Sequence, residues 1–272
     1  MEIKDILHEL DYETEHYSHH TRSQYFSHVQ DYLNYVGSED WRERDILRSY
    51  LQKLKAKGHS QAHINYIIRG PIGAIFRAYG LRIPVKLPRV KVARYDYSDR
   101  ISFSVEETIA LIKAALTSGN KQWQNIMAVS TTYGPRASEI RAIRKDDVHP
   151  IKKTIVILTL KNGFKREHLV PPQIQPYIFN YAYPPMSSNG MYLIFKDIAM
   201  AAGITIVPRK VYHAIRHRLD NELRHAGKVR QIAIAAFFGW AEGGMVDDYA
   251  NPYLPDIDEE VFAGHPFLKY WK

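Results

Sequence analysis

Apolar positions recur at helical spacing through much of the first eighty residues. From Thr21 they fall at Tyr25, Val29, Tyr32 and Val36, and Gly37 closes the run. From Ser38, Trp41, Leu47, Tyr50, Leu51 and Leu54 mark a second helix ending at Gly58. Ser60 opens a third, with Ile64, Ile67, Ile68, Ile75, Phe76 and Tyr79 before Gly80. Pro71 predicts a kink or split in that element, because proline has no N–H and its ring crowds the preceding turn. A small helical bundle is expected over 1–82. Residues 83–101 carry prolines and a series of Lys and Arg without clean periodicity, and are expected to form a basic linker.

Periodicity resumes after 101. Ser104 and Glu107 stand at capping-box spacing ahead of Ile109, Leu111, Ile112 and Leu116. A further helix is predicted over about 122–132 and a short one over about 137–144, after Pro135. The run TIVILTL at 154–160 is β-branched, Asn162-Gly163 is a turn signal, and HLVP at 168–171 supplies a returning strand, so a β-hairpin is expected. Helices follow over about 173–182, 189–202, 209–226 and 229–238, separated by Gly203, Pro208, Gly227 and Gly239. The predicted class is mainly α with a small antiparallel β-sheet (α+β). The second domain is expected to span 102–272.

Composition narrows the chemistry. The chain has 272 residues and no cysteine, which excludes a disulfide framework, a thiol nucleophile and a Cys-ligated metal centre. No apolar run is long enough to predict a transmembrane helix, and the acidic N-terminus does not read as a signal peptide. The formal net charge is +8, and it is unevenly spread. Residues 1–50 are acidic, with five basic against eleven acidic side chains, whereas 51–100 hold eleven basic against two acidic. A basic band of this kind attracts polyanions, because neutralising phosphates releases condensed counterions.

Five polar features stand out beyond residue 102. GPRASEI places Arg136 at a helix start with Glu139 three residues on. The hairpin TLKNGFKREHLVP presents Lys161 and Lys165 beside its turn. HAIRHRL puts His213 and Arg216 one turn apart on a helix face. FGW ends at Trp240, and DDYANP carries Tyr249 nine residues later. Paired guanidiniums grip anionic phosphate oxygens through planar, bidentate bonds and neutralise charge in a pentacoordinate transition state. A tyrosine beside such a clamp is a nucleophile whose phenolate the cations favour. The histidine pairs His59/His63 and His213/His217 lack an intervening HExxH glutamate, so no metal site is expected.

The order and spacing of these features resemble the tyrosine recombinase family, the phage-type integrases and Xer-like recombinases. The resemblance spans essentially the whole chain. It implies an N-terminal helical core-binding domain, a linker, and a mostly helical catalytic domain with a small sheet. It implies catalytic roles for Arg136, Glu139, Lys161, His213, Arg216, Trp240 and Tyr249, with Lys165 as the alternative to Lys161 for the general acid. DNA contacts are expected from Lys86, Arg89, Lys91 and Arg94 of the linker and from Lys165 and Arg166 of the hairpin. The implied reaction cleaves and rejoins DNA through a 3′-phosphotyrosine intermediate with no cofactor, metal or ATP. The implied partners are double-stranded DNA and further copies of the chain, as a tetramer on paired sites, in the cytoplasm with the nucleoid or host DNA and without a membrane. No arm-binding domain is expected ahead of the bundle. An integrase, an Xer-like dimer resolvase, a type IB topoisomerase-like enzyme and a binding-only DNA protein remain open at this point. So does docking of the tail (Ile257, Val261, Phe262, Phe267) on its own domain or on a neighbour.

Overall fold

The computed structural model describes residues 3–90, 102–159, 164–206, 211–240 and 254–272. The chain divides into two compact units, Met1–Val92 and Ala93–Lys272.

The first unit is a helical bundle. Its elements are α1 (Ile3–Glu13), α2 (His19–Val36), α3 (Arg44–Ala56), α4 (Gln61–Ile67) and α5 (Gly73–Ala78). Ser60 caps α4 by accepting from the His63 backbone N–H, and Gly37 ends α2 at φ 64°, a left-handed position that costs glycine little. The predicted split at Pro71 is present: a single wide turn, Ile68–Ile72, joins α4 to α5. The missing proline N–H is absorbed there without ending the helical path. Helix α1 was not among the elements expected from sequence. Its Ile6 and Leu10 are buried in the same core as Val29, Leu47, Ile64 and Ile75.

The expected linker begins later than 83. Ile83, Val85 and Leu87 pack on the first core, while Asn65 Nδ2 donates to the Pro88 carbonyl at 2.8 Å. Residues 83–90 therefore belong to the first unit. Lys86 and Arg89 of this segment are exposed.

The second unit contains α6 (Val105–Thr117), α7 (Lys121–Tyr133), α8 (Ala137–Ala142), α9 (Gln175–Phe179), α10 (Ser188–Ala201), α11 (Tyr212–Ala226), α12 (Gln231–Phe238) and α13 (Leu254–Ala263). Three antiparallel strands, β1 (Val148–His149), β2 (Thr154–Thr159) and β3 (Phe164–Leu169), form a sheet in that order. The Ser104–Glu107 capping box is formed at α6 in both directions. Helix α7 is the central element, with every residue from Asn125 to Tyr133 buried. In β2 the buried Ile155 and Ile157 lie opposite His168 and Arg166 of β3. Directly paired residues share a sheet face, so these two polar side chains point into the core.

The C-terminal tail packs on its own unit. Ile257, Val261, Phe267, Leu268 and Trp271 are buried in the second core, with Phe262 packed against it. Trp271 Nε1 donates to Thr131 Oγ1 at 3.2 Å. His265 Nε2 donates to the Thr132 carbonyl, and its Nδ1 accepts from the Phe267 and Leu268 backbone N–H groups. Among the described residues no helix is long and apolar enough to cross a membrane.

Candidate active site

Gly134 ends α7 in the left-handed conformation, φ 56°. A Cβ there would come within 2.6 Å of the Phe238 ring, so the turn lies hard against α11 and α12. This close approach delivers Arg136, two residues on, to the start of α8. Glu139 sits one turn into that helix, fully buried. Its Oε2 accepts from the Arg136 backbone N–H at 2.9 Å, and its Oε1 takes the Arg136 guanidinium at 2.8 Å. The carboxylate thus caps the helix and orients the arginine in one stroke. The Arg136 side chain keeps 34% of its surface exposed.

Arg216 reaches the same place from α11. It is buried, and its Nη1 donates to the Gly134 carbonyl at 2.7 Å. Its Nη2 donates to the Phe238 carbonyl at 3.0 Å. The guanidinium lies 4.7 Å over the Phe238 ring and 5.4 Å over the Trp240 ring, which themselves stack. A helix C-terminus leaves carbonyls unpaired and carries partial negative charge, so the end of α12 is a natural seat for a cation. Burial first, then Arg136 and Arg166, push the Arg216 pKa down to about 9. It remains charged at neutral pH.

His213 stands one turn before Arg216 and is exposed at the start of α11. Partial desolvation, then His217, Arg216 and Arg136, push its pKa down to about 4, so the imidazole is neutral at pH 7. The His217 ring lies 4.3 Å from it, edge to face. Trp240 is half-buried beside Arg216 and also lies under Arg224, 5.3 Å away.

The structure therefore brings Arg136, Glu139, His213, Arg216 and Trp240 into one locality. Lys161 and Tyr249 lie outside the described residues, as do Lys91 and Arg94. Lys165 is exposed on β3, on the outward face of the strand. Arg166 corrects its expected role as a DNA contact. Its side chain is 4% exposed and occupied inside the protein, with Nε donating to Thr159 Oγ1 at 2.9 Å and Nη1 to the Phe237 carbonyl at 2.6 Å. Its Nη2 meets Glu139 Oε2 at 3.3 Å. Burial outweighs the attraction of Glu139 and moves its pKa down to about 10. Beyond Arg166, His168 Nδ1 pairs with Asp258 Oδ1 at 2.8 Å, and Asp258 Oδ2 accepts from the Leu169 backbone N–H at 2.6 Å. Arg166, His168 and Asp258 were missed as internal groups. Strand parity held the signal for the first two, since β3 alternates Lys165, Arg166, Glu167, His168 opposite a β2 that turns Ile155 and Ile157 inward. Among the described residues no three His, Asp or Glu side chains gather as a metal site.

No protein-family model matches the chain, and no curated protein matches it by sequence. Solved structures match by shape. A lambda integrase dimer bound to a COC′ core site superposes with a TM-score of 0.68 at 14% identity, over 90% of this chain and 97% of that one. A lambda integrase tetramer bound to a Holliday junction gives 0.63 at 12% identity, over 86% and 72%. The Tn1549 transposon integrase in complex with transposon right end DNA gives 0.57 at 15% identity, over 90% and 97%. The chain has the tyrosine recombinase and integrase fold.

Proposed function

We propose that the chain is a site-specific DNA recombinase of the integrase type, cleaving and rejoining strands through a covalent link between Tyr249 and a 3′ phosphate. The observation that carries the reading is the pair of guanidiniums, Arg136 and Arg216, seated around Glu139 and the end of α12 with His213 and Trp240 beside them. Such a pair suits a phosphodiester, whose transition state adds negative charge on its non-bridging oxygens. The fold shared with DNA-bound integrases supports the same substrate class.

In this mechanism Arg136 and Arg216 hold the scissile phosphate. The Tyr249 hydroxyl gives up its proton to solvent water as its oxygen attacks phosphorus; the new P–O(Tyr) bond forms as the P–O5′ bond breaks. The 5′ oxygen leaves with a proton, given by Lys161 or Lys165 from the hairpin. Neutral His213 and the Trp240 indole donate hydrogen bonds to the phosphate without adding charge. The phosphate bond energy is retained in the tyrosyl ester, so attack by another 5′ hydroxyl reverses the step without ATP. Exposed Lys86, Arg89 and Lys165 supply backbone contacts, and copies of the chain assemble on paired sites.

The test is capture of protein-linked DNA. The full chain is incubated with nicked duplexes of randomised sequence, denatured in detergent, and the DNA that stays attached is sequenced. The expected result is a detergent-resistant adduct on a restricted set of sequences, lost in Tyr249→Phe. No adduct, or one that survives Tyr249→Phe, overturns the proposal.

A further inference from the structure

Arg166 is a charged side chain deep in the second unit, and burying a guanidinium is costly unless its donors are all well placed. What it touches is informative. Through Nη2 it meets Glu139, the carboxylate that holds both the backbone and the side chain of Arg136. Through Nη1 it holds the Phe237 carbonyl, while the next carbonyl, Phe238, holds Arg216. Through Nε it is tied to Thr159 at the end of β2. One planar fork thus touches the support of Arg136 and the support of Arg216 at once.

The surroundings are shaped to admit it. Gly239, at φ 64°, follows the two carbonyls, and a Cβ there would come within 2.9 Å of the Arg166 side chain and 2.8 Å of Thr159 Oγ1. From the other side, His168 stands 3.5 Å from Nη1 and is itself fixed by Asp258 of α13. Strand β3, helix α8 and the ends of α12 and β2 all meet at this side chain.

We infer that Arg166 is a positioning residue that sets the spacing and orientation of the Arg136 and Arg216 guanidiniums. It touches no substrate; it acts through Glu139 and the C-terminal end of α12. The inference rests on the recombinase reading above. Lysine cannot replace it fully, because an ammonium is a point donor and the three directions used here belong to a rigid plane.

The experiment uses the cleavage site recovered from captured adducts, built as a nicked duplex in two forms. One carries the ordinary scissile phosphate. The other carries a methylphosphonate there, which lacks the negative charge the two arginines neutralise. Arg166→Gln is expected to slow adduct formation on the phosphate about 10–100-fold, the range for residues that orient reacting groups from behind, with DNA affinity within about threefold of wild type. On the methylphosphonate the penalty is expected to shrink to about threefold or less, because misplaced cations matter little when there is no charge to meet. Arg166→Lys keeps the buried charge and so keeps the fold if Arg166→Gln does not; it is expected to recover part of the rate on the phosphate and to show the same dependence on substrate charge. A folded variant that cleaves the phosphate at the wild-type rate overturns the inference alone, as does an equal penalty on both substrates. A wild-type protein that forms no adduct overturns the recombinase reading and this inference together.

Discussion

Around Leu47, Ile64 and Ile75 in the first unit, the buried side chains are apolar, and Thr14 is the one buried polar residue there among those described. Around Glu139 in the second unit, the interior holds Arg166, His168, Arg216 and Asp258 as well as apolar residues. The two interiors obey the same packing rules but serve different ends. The apolar bundle secures a shape and leaves its charge outside, at positions such as Lys86 and Arg89. The second unit accepts the desolvation of ionised groups, and in return several side chains are held in fixed directions before any ligand arrives. Preorganisation of this kind suits the phosphate chemistry proposed for the second unit.

That contrast is sharpest in how each interior should respond to losing one side chain. Glu139→Ala leaves Arg166 buried without its carboxylate, and the second unit should lose about 3–5 kcal/mol of stability, read from urea unfolding. The same variant should lose most of its cleavage activity. Leu47→Ala in the first unit should lose about 2–5 kcal/mol through the cavity it leaves. Its cleavage rate on saturating DNA should nevertheless stay close to wild type at temperatures where it is folded. A Leu47→Ala protein as impaired in chemistry as Glu139→Ala would erase the distinction.

Acid should also act more on the second unit. His265 is buried, and desolvation lowers its pKa to about 4 against an ordinary value near 6.5. A histidine lowered on folding binds fewer protons in the folded state between those values. Its contribution is therefore present above about pH 6.5 and is lost as pH falls towards 4. Its Nδ1 accepts two backbone N–H groups, which protonation would repel. Thermal melts between pH 7 and 4.5 should show the second unit losing stability, with a shallower slope in His265→Gln. His213 titrates in the same window, so His213→Gln is the control that separates the two. An unchanged slope in His265→Gln would remove this account of the tail.

The smallest effects belong to the surface. Replacing exposed Lys86 or Arg89 by Gln should each lower the salt slope of DNA binding by about one. Lys165→Gln should do the same, whereas Arg166→Gln should leave the slope unchanged because its charge never meets solvent. Measuring the four slopes side by side tests which of these cations are outside the fold in function as well as in position.

Much of this architecture was legible in the sequence. The α2–α4 series, the capping box at Ser104 and the closing glycines announced themselves through local rules, and so did the hairpin, although its returning strand is Phe164–Leu169 and not 168–171. Helix α1 was missed because only Ile6 and Leu10 of its stripe are buried, among many charges. Strand β1 was missed because two residues, Val148 and His149, are too few to show alternation. Arg136, Glu139, His213, Arg216 and Trp240 could be singled out because their order along the chain is itself a pattern, and the fold brings them into one locality. Their support could not be singled out this way. Arg166 was assigned to the surface because a charged residue usually lies there, although its pairing opposite Ile157 turns it inward. Asp258 meets His168 across 90 residues of sequence, a contact that exists only once the tail has packed. Local patterns report where a helix begins; they do not report which buried charge will answer another.

Strand cleavage by the proposed route leaves Tyr249 bonded to DNA, which peptide mass spectrometry on the nuclease-trimmed adduct reads out. A nucleotide 3′-phosphate carried on Tyr249 is expected. Modification of another side chain such as Tyr253, or a covalent complex in which Tyr249 is unmodified, would contradict it.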